Sequence, residues 1–280
     1  MEIYKYSGAG NDFVVLDGRS GDVSEYRQPQ CICQLCSRTG GFVAADGRVG
    51  ADGLMILNAS KDCDFRMEFY NPDGSCGMMC GNGGRCIAAF ADFLGIRPAS
   101  GRVLIFEAPD GIHTAEILSR EGSLYSVRLR MKDVKETRRI NYTDAEGKEQ
   151  HGWFIDTGAR HFVRFVSDWD SLDVEKEGRE LRWNPLFAPE GANIDFVFPC
   201  SRDEMIYVRT FEKGVEAETL ACGTGIVASA IAVTLESYWP CEGGRLYRVR
   251  ALRDTLSVEF VASGSVFSEV YLTGPAERVA

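Results

Sequence analysis

No stretch of this sequence is rich in proline, serine or glutamine, and no cluster of lysine and arginine interrupts its acidic balance. The first absence removes any expectation of a disordered arm. The second, with a formal net charge of −10, disfavours a nucleic-acid partner, because phosphates need a basic face. A long apolar run is missing too. The longest nearly apolar stretch, Gly225 to Leu235, is too short for a bilayer, which takes about 20 residues. The opening MEIYKYSGAGNDFVVLDG has no basic segment followed by an apolar one and does not read as a signal peptide. The expectation is a soluble, cytoplasmic protein with neither membrane nor nucleic acid among its partners. No Gly-rich nucleotide fingerprint follows a strand, and no lysine context asks for pyridoxal phosphate. No cofactor is therefore expected, although one sequence leaves a pyridoxal lysine formally open.

What is present suits a globular enzyme. At 280 residues the chain is too long for one small core and favours two domains. Its ten cysteines could form disulfides, but such frameworks belong to small exported chains, so they read as thiols. Cys31, Cys33 and Cys36 have a spacing that hints at a metal site. No fourth ligand is evident, since His113, His151 and His161 lie far off in sequence, and packing of a short helix is the preferred reading. No metal is expected.

A faint duplication runs through the chain. FRMEFYNPDGSCGMMCGNGGRCIAAF lies over MIYVRTFEKGVEAETLACGTGIVASAI with Cys80 above Cys222, an offset of 142 residues. In the same order GAGNDFVVL matches TGARHFVRF, pairing Phe13 with Phe162, and GADGLMIL matches GANIDFVF, pairing Gly50 with Gly191. Three ordered matches point to a duplicated fold. Around them lie short alternating runs, among them Phe65, Met67, Phe69 and Tyr125, Val127, Leu129, which predict antiparallel strands. Helices are expected chiefly after the two cysteine turns. One carries Ile87, Phe90, Ala91 and Leu94 and stops at Gly95; the other, Ile226 to Leu235, is apolar on all sides and so enclosed by sheet. The fold class is α+β, with two pseudo-symmetric lobes, each a curved, mostly antiparallel sheet wrapped around a central helix.

Both turns read Cys-Gly-X-Gly, as Cys80-Gly81-Asn82-Gly83 and Cys222-Gly223-Thr224-Gly225. A strand leads in and a helix leads out, so N–H groups of the first helical turn, with Asn82 or Thr224 as caps, offer a carboxylate site. The same helix end is expected to favour thiolate over thiol. If the lobes face each other about a pseudo-two-fold axis, the two sulfurs flank one α-carbon. One thiolate then removes the α-proton and the opposite thiol returns one. A lone Cys-Gly-X-Gly is more simply a small buried residue at a tight turn; the symmetric pair favours chemistry.

Five motifs carry a family resemblance over almost the whole chain. They are Gly8-Ala9-Gly10-Asn11-Asp12-Phe13, Gly50-Ala51-Asp52-Gly53, Asn71-Pro72-Asp73-Gly74-Ser75 leading to Cys80-Gly81-Asn82-Gly83, Gly191-Ala192-Asn193, and Glu218-Thr219-Leu220-Ala221-Cys222-Gly223-Thr224-Gly225. With them the chain resembles the diaminopimelate epimerases. The resemblance implies interconversion of LL- and meso-2,6-diaminopimelate, an amino-acid substrate on the route to lysine and peptidoglycan, with Cys80 and Cys222 as the acid/base pair. It further implies that Gly81, Asn82, Gly223 and Thr224 hold the reacting carboxylate, that Asn11, Asn71, Asn193 and Glu212 grip the substrate, and that His161 supports the thiols. For Asn71, before Pro-Asp-Gly, turn chemistry alone is the stronger reading of the residue itself. The implied lobes are 1–120 and 121–267, with the segment from Val266 to Leu272 onward, about 268–280, returning as a strand to the first lobe and the active site in the cleft between them. A homodimer is compatible with the resemblance.

Three departures touch the distal end of the substrate. Lys213 stands where the family has arginine, which loses a bidentate grip on carboxylate. Ala159-Arg160 precedes His161 where the family often has Asn-Pro, and Arg160 is the candidate to restore that guanidinium. The stretch Gly40 to Gly47 looks like a short insertion, read as a surface loop in preference to a flap over the site. The nearest rival is a racemase of the histidine or proline type on the same fold. A rival of another class is a thiol-redox or zinc-binding protein.

Overall fold

The computed structural model describes residues 1–144, 147–200, 205–237 and 241–279. Contacts divide the chain into two units, unit 1 comprising Met1–Arg130 with Thr273–Ala280, and unit 2 comprising Met131–Leu272. Unit 1 contains β1 (Ile3–Gly8), β2 (Asn11–Asp17), α1 (Pro29–Cys36), β3 (Leu54–Asn58), β4 (Phe65–Tyr70), α2 (Gly81–Phe93), β5 (Val103–Ala108), β6 (Gly111–Glu121) and β7 (Leu124–Arg130). Unit 2 contains β8 (Thr137–Thr143), β9 (Glu149–Asp156), β10 (Arg160–Phe165), α3 (Val174–Arg182), β11 (Asn193–Cys200), β12 (Met205–Glu212), β13 (Ala217–Thr219), α4 (Gly223–Ser237), β14 (Glu242–Arg250) and β15 (Thr255–Ser263). The last strand, β16 (Val266–Arg278), begins in unit 2 and ends in unit 1. No helix among the described residues is long and apolar enough to cross a membrane.

In unit 1 the strands neighbour one another in chain order. The end of β16 pairs Gly274 with Val127 of β7 and Arg278 with Tyr6 of β1, which closes the sheet into a ring. Unit 2 has the order β8-β9-β10-β11-β12-β14-β15-β16. Most neighbours are antiparallel, but each unit holds two parallel pairs, β2–β3 with β4–β5 and β10–β11 with β12–β14. A parallel neighbour cannot be reached by a tight hairpin and needs a crossover. Among the described residues these four crossovers contain α1 to α4, which explains α1 and α3 as well as the two helices expected after the cysteines.

The central helices are built for enclosure. Every residue from Gly81 to Ala91 of α2 is buried, as is every residue from Gly225 to Leu235 of α4. Small residues keep both helices thin enough for a sheet to pass on every side, among them Gly83, Gly84, Ala88 and Ala89 in α2, and Ala228, Ser229 and Ala230 in α4. Large side chains fill the remaining space; Phe90 meets Tyr4 and Tyr6 with ring centroids 5.1 and 5.6 Å apart. Each such fully buried aromatic or aliphatic side chain contributes roughly 1.5–3 kcal/mol. The α2 helix stops at Phe93, with Leu94 as its cap and Gly95 at φ +78°, as the apolar spacing predicts.

The duplication is visible in the backbone. Gly50 and Gly191, matched by sequence, have φ of +65° and +68° and lie four and two residues ahead of the matched strands β3 and β11. At Gly50 a Cβ would lie 2.3 Å from the Ser37 carbonyl oxygen, so neither the space nor the torsion admits a side chain. The register agrees too, with Val14 opposite Leu54 in unit 1 and Val163 opposite Asp195 in unit 2.

Two boundaries differ from expectation. The units divide after Arg130 and not near residue 120, because β7 is held in register by β6 through pairs such as Ala115 with Leu129. Val266 to Leu272 stays with unit 2, where the Met131 N–H donates to the Val270 carbonyl and Val134 exchanges bonds with Phe267; the residues that join unit 1 begin at Thr273. The Gly40–Gly47 stretch folds onto the end of α1, with the N–H of Phe42 on the Leu35 carbonyl and that of Gly41 on the Ser37 carbonyl. Cys36 and Ile32 are the buried residues of α1, and burial pushes the Cys36 thiol up to about 12.

A buried ion cluster fixes the entrance to β2. Lys5 is fully buried, 2.7 Å from Asp12 Oδ2 and 2.5 Å from the Gly50 carbonyl oxygen. Arg38 donates to both oxygens of Asp12, at 2.7 and 3.0 Å, and pairs with Asp52. Burial alone would raise the Asp12 pKa, but the hydrogen bonds from Arg38 and Lys5 outweigh it and hold the carboxyl below its usual range. A depressed carboxyl contributes stability above the unfolded pKa of about 3.9 and loses it as pH falls through the folded value. Asp12→Asn should therefore cost about 3–5 kcal/mol at neutral pH, as expected when a buried cation loses its partner. The gap to the parent protein in denaturant titrations should narrow below about pH 4; an equal gap at both pH values would contradict it.

Candidate active site

In unit 1 the strand-to-helix turn after β4 makes Cys80 the N-cap of α2, its backbone extended at φ −109° and ψ 156°. Its sulfur accepts the Gly83 N–H at 3.3 Å, answering one N–H of the first turn. The side chain is exposed. Beside it Asn82 donates to Asn11 Oδ1 at 2.6 Å and accepts from Arg85 at 2.7 Å, while Asn11 donates to Asp52 Oδ2 at 3.0 Å. Asn11 and Asn82 are thus oriented as a pair, and the cluster around Asp12 is their support. Asn71 donates to Ser75 Oγ at 3.0 Å and its N–H meets the Ser75 carbonyl at 2.9 Å. That is turn chemistry, the reading its own sequence context favours.

In unit 2 Cys222 precedes α4 and is half-buried, with its sulfur 3.4 Å from Thr224 Oγ1. Thr224 Oγ1 lies 2.9 Å from His161 Nε2, and His161 Nδ1 lies 2.7 Å from Asp195 Oδ2. His161 and Asp195 are fully buried, and Thr210 donates to Asp195 Oδ1 at 2.7 Å. Asn193 ties two segments together. Its amide donates to the Arg160 carbonyl at 3.0 Å, and its Oδ1 accepts the Lys213 N–H at 2.8 Å. The two cationic residues that depart from the family pattern are therefore pinned by one side chain, with Glu212 next in the chain. Arg160 holds Glu190 at 2.6 Å, both partly exposed.

The helix start does not lower the Cys222 thiol. Burial pushes it up, Glu212 and Asp195 push it further, and the Gly225 N–H only partly offsets them. The expected thiolate preference of the helix end is overturned here by desolvation and two carboxylates. The balance favours the thiol over the thiolate at Cys222.

Asp195, Thr210 and Glu190 escaped the sequence reading. Asp195 had a visible signal, a lone carboxylate in the apolar run Ile194 to Phe198, since a buried charge needs a partner. Glu190 had none, being one exposed acid among many. Among the described residues no group of three or more His, Cys, Asp and Glu is placed to hold a metal ion.

Comparison with known proteins decides the family, because the diaminopimelate epimerase family model matches residues 3–134 and 153–279. The chain belongs to the diaminopimelate epimerase family. It is 40% identical over 278 residues to the diaminopimelate epimerase of Chlorobaculum tepidum, covering 98% of this chain and 97% of that one. It is 36% identical over 287 residues to that of Aquifex aeolicus, covering 100% and 96%. Among solved structures, a PhzF-family phenazine biosynthesis protein from Bacillus anthracis aligns with a TM-score of 0.74 at 14% identity, over 100% of this chain and 98% of that one. A hydroxyproline epimerase from Agrobacterium vitis aligns with a TM-score of 0.64 at 16% identity, over 99% and 92%. At such identities these two show a shared fold alone.

The protonated state of Cys222 can be read directly. With iodoacetamide and peptide-resolved mass spectrometry at about pH 7, Cys80 should alkylate faster than Cys222, and Cys222 should accelerate only above the ordinary thiol pKa of about 8.5. Equal rates at neutral pH would show that Cys222 is not held as a thiol.

Proposed function

We propose that this chain interconverts LL- and meso-2,6-diaminopimelate, using Cys80 and Cys222 as acid and base with no prosthetic group. The observation that carries the reading is 40% identity to a diaminopimelate epimerase across nearly both whole chains. The chemistry of the two helix starts supports the mechanism. The α-carboxylate is to be held by N–H groups at Gly81–Asn82 and Gly223–Thr224, where the positive helix ends favour negative charge. A thiolate takes the α-proton, the C–H electron pair moves into the carboxylate, and the opposite thiol gives its proton to the other face of the carbon. The enzyme begins with one thiol and one thiolate and ends with the roles exchanged. Burial and two nearby carboxylates favour the thiol at Cys222, which supports Cys80 as the first base. The mechanism requires both sulfurs to reach one α-carbon from opposite sides.

For the distal carboxylate we assign Arg160, with Lys213 beside it. A bidentate guanidinium grip replaces the one lost where lysine stands at 213, and the pairing with Glu190 at 2.6 Å supports Arg160 as a carboxylate partner at this position. Glu212, Asn193 and Asn11 are assigned to substrate binding, and His161 to support of the Cys222 turn. The reading places the enzyme in the cytoplasm, consistent with its acidic charge and a free amino-acid substrate. A homodimer is part of it and is tested by light scattering on the eluted protein.

Proton NMR of LL-diaminopimelate with reduced protein in deuterated water tests the whole. Loss of the α-proton signal with appearance of the meso isomer is expected; intact thiols without exchange would point to another amino acid, with residues 159, 160 and 213 as the reason. Serine at either 80 or 222 should abolish full epimerisation, about 10³-fold or more, while one-sided exchange survives. Arg160→Ala should raise KM for diaminopimelate about 10- to 100-fold with a smaller change in kcat, the size of a lost charged hydrogen bond. An unchanged KM would remove Arg160 from the distal site.

A further inference from the structure

The chain Asp195–His161–Thr224–Cys222 has only one consistent arrangement of hydrogens when the imidazole is neutral. A carboxylate can only accept, so His161 Nδ1, 2.7 Å from Asp195 Oδ2, must carry a hydrogen. Its Nε2 then has only a lone pair and accepts the Thr224 hydroxyl at 2.9 Å. That uses the hydroxyl's single hydrogen, so toward Cys222, at 3.4 Å, Thr224 Oγ1 can only accept. The thiol hydrogen is the sole donor left. Asp195 is itself anchored by Thr210 at 2.7 Å, and nothing in this chain is exposed beyond Cys222 and Thr224.

The backbone has been shaped around this pair. A Cβ on Gly225 would stand 2.3 Å from Asp195 Oδ1 and 3.2 Å from His161 Cε1, so the second glycine of Cys-Gly-Thr-Gly is the space that the carboxylate occupies. The matching position in unit 1 differs in kind. There a Cβ on Gly83 would meet Cys80 Sγ, Met55 Sδ and Met67 Cε, at 3.3, 3.5 and 3.8 Å. The register that seats Asp195 opposite Val163 seats Leu54 opposite Val14, and the place of His161 is taken by Asp12, which is bound to Lys5 and Arg38. One half of the duplication has a relay at its second glycine; the other has the thioethers of Met55 and Met67 there.

We propose that Asp195 is a positioning residue which, through the His161 tautomer and the Thr224 hydroxyl, turns Cys222 into the thiol that holds the proton before substrate binds. The same line of atoms lets Cys222 become a base without any heavy atom moving: the S–H proton passes to Thr224 Oγ1 as the hydroxyl proton passes to His161 Nε2, leaving a thiolate and an imidazolium against the Asp195 carboxylate. Charge is conserved at each step. The charged groups facing Cys222 are Asp195 from β11, Glu212 from β12 and His161 from β10, with the Gly225 N–H from its own helix. The proposal deepens the two-thiol reading and rests on it for its catalytic meaning, but its test requires no substrate.

The test is the pH profile of Cys222 alkylation, resolved by peptide mass spectrometry on the full-length reduced protein. Asp195→Asn should move the Cys222 profile down by roughly one unit or more, the size of a change in hydrogen bonding to the charged form, while Asp195→Glu returns it toward the parent. A purely structural role would lower the melting temperature of both variants and leave the profile in place, which would overturn the proposal. On a Thr224→Val background most of the Asp195→Asn shift should vanish; a shift of full size there would mean that Asp195 acts through space and not through the relay. Should Asp195→Asn fail to fold, nitrogen-15 NMR of the histidine rings in the parent protein decides the matter. His161 is expected in the Nδ1–H form, and an Nε2–H tautomer would overturn the assignment. Loss of epimerase activity in the parent would sink the substrate reading while leaving each of these outcomes readable.

Discussion

A helix buried at its beginning has N–H groups that water cannot reach, and they must be answered by something. Both central helices of this protein begin in that condition, and the site follows from how each start is answered. At α2 the Cys80 sulfur takes one N–H and the Asn82–Asn11 pair stands alongside. At α4 Thr224 is drawn beneath the turn toward His161. The N–H groups that remain suit a small anion, and a carboxylate next to an acidic carbon is the anion whose chemistry a neighbouring thiol can use. Enclosure of the helices and chemistry at their ends are one constraint seen from two sides.

Duplication supplied two such starts and divergence made them unequal. Strand order, parallel pairs and the left-handed glycines ahead of β3 and β11 repeat between the units, but the residues below the cysteines do not. In unit 1 the polar support is an ion cluster that fixes backbone, reaching from Lys5 through Asp12 and Arg38 to Asp52 and on to Asn11. In unit 2 it is a line of proton-bearing groups ending on sulfur. On the proposed mechanism an inversion needs a proton on one side of the carbon and a vacancy on the other, and an unequal pair suits that need.

The features legible in the sequence were those whose signal is local. The apolar spacing from Ile87 to Leu94 gave α2 its end, the all-round apolar run gave α4 its burial, and the paired Cys-Gly-X-Gly turns gave the two helix starts. Asn11 and His161 came only with the family resemblance, whereas Asn82 was also readable as a helix cap. The parallel strand pairs were not legible, because pairing direction depends on where a crossover returns the chain. Asp195 and Glu190 were missed for a related reason: a carboxylate acquires its role from the residue opposite it, and His161 and Arg160 stand 34 and 30 positions away in sequence. The helix-end argument for a Cys222 thiolate failed because it weighed the dipole without the burial and the two acids that only tertiary structure brings near.

The shared strand β16 ties the first unit to the last residues of the chain. Unit 1 is closed by pairs between Gly274–Glu277 and β7 and between Glu277–Arg278 and β1, so during synthesis its β1 and β7 edges wait until residues 274–278 have been made. Vectorial folding, in which an N-terminal domain is finished before its successor begins, is closed to this architecture. The second unit takes nothing beyond Leu272, so its strand set is available while that of unit 1 still lacks its last member.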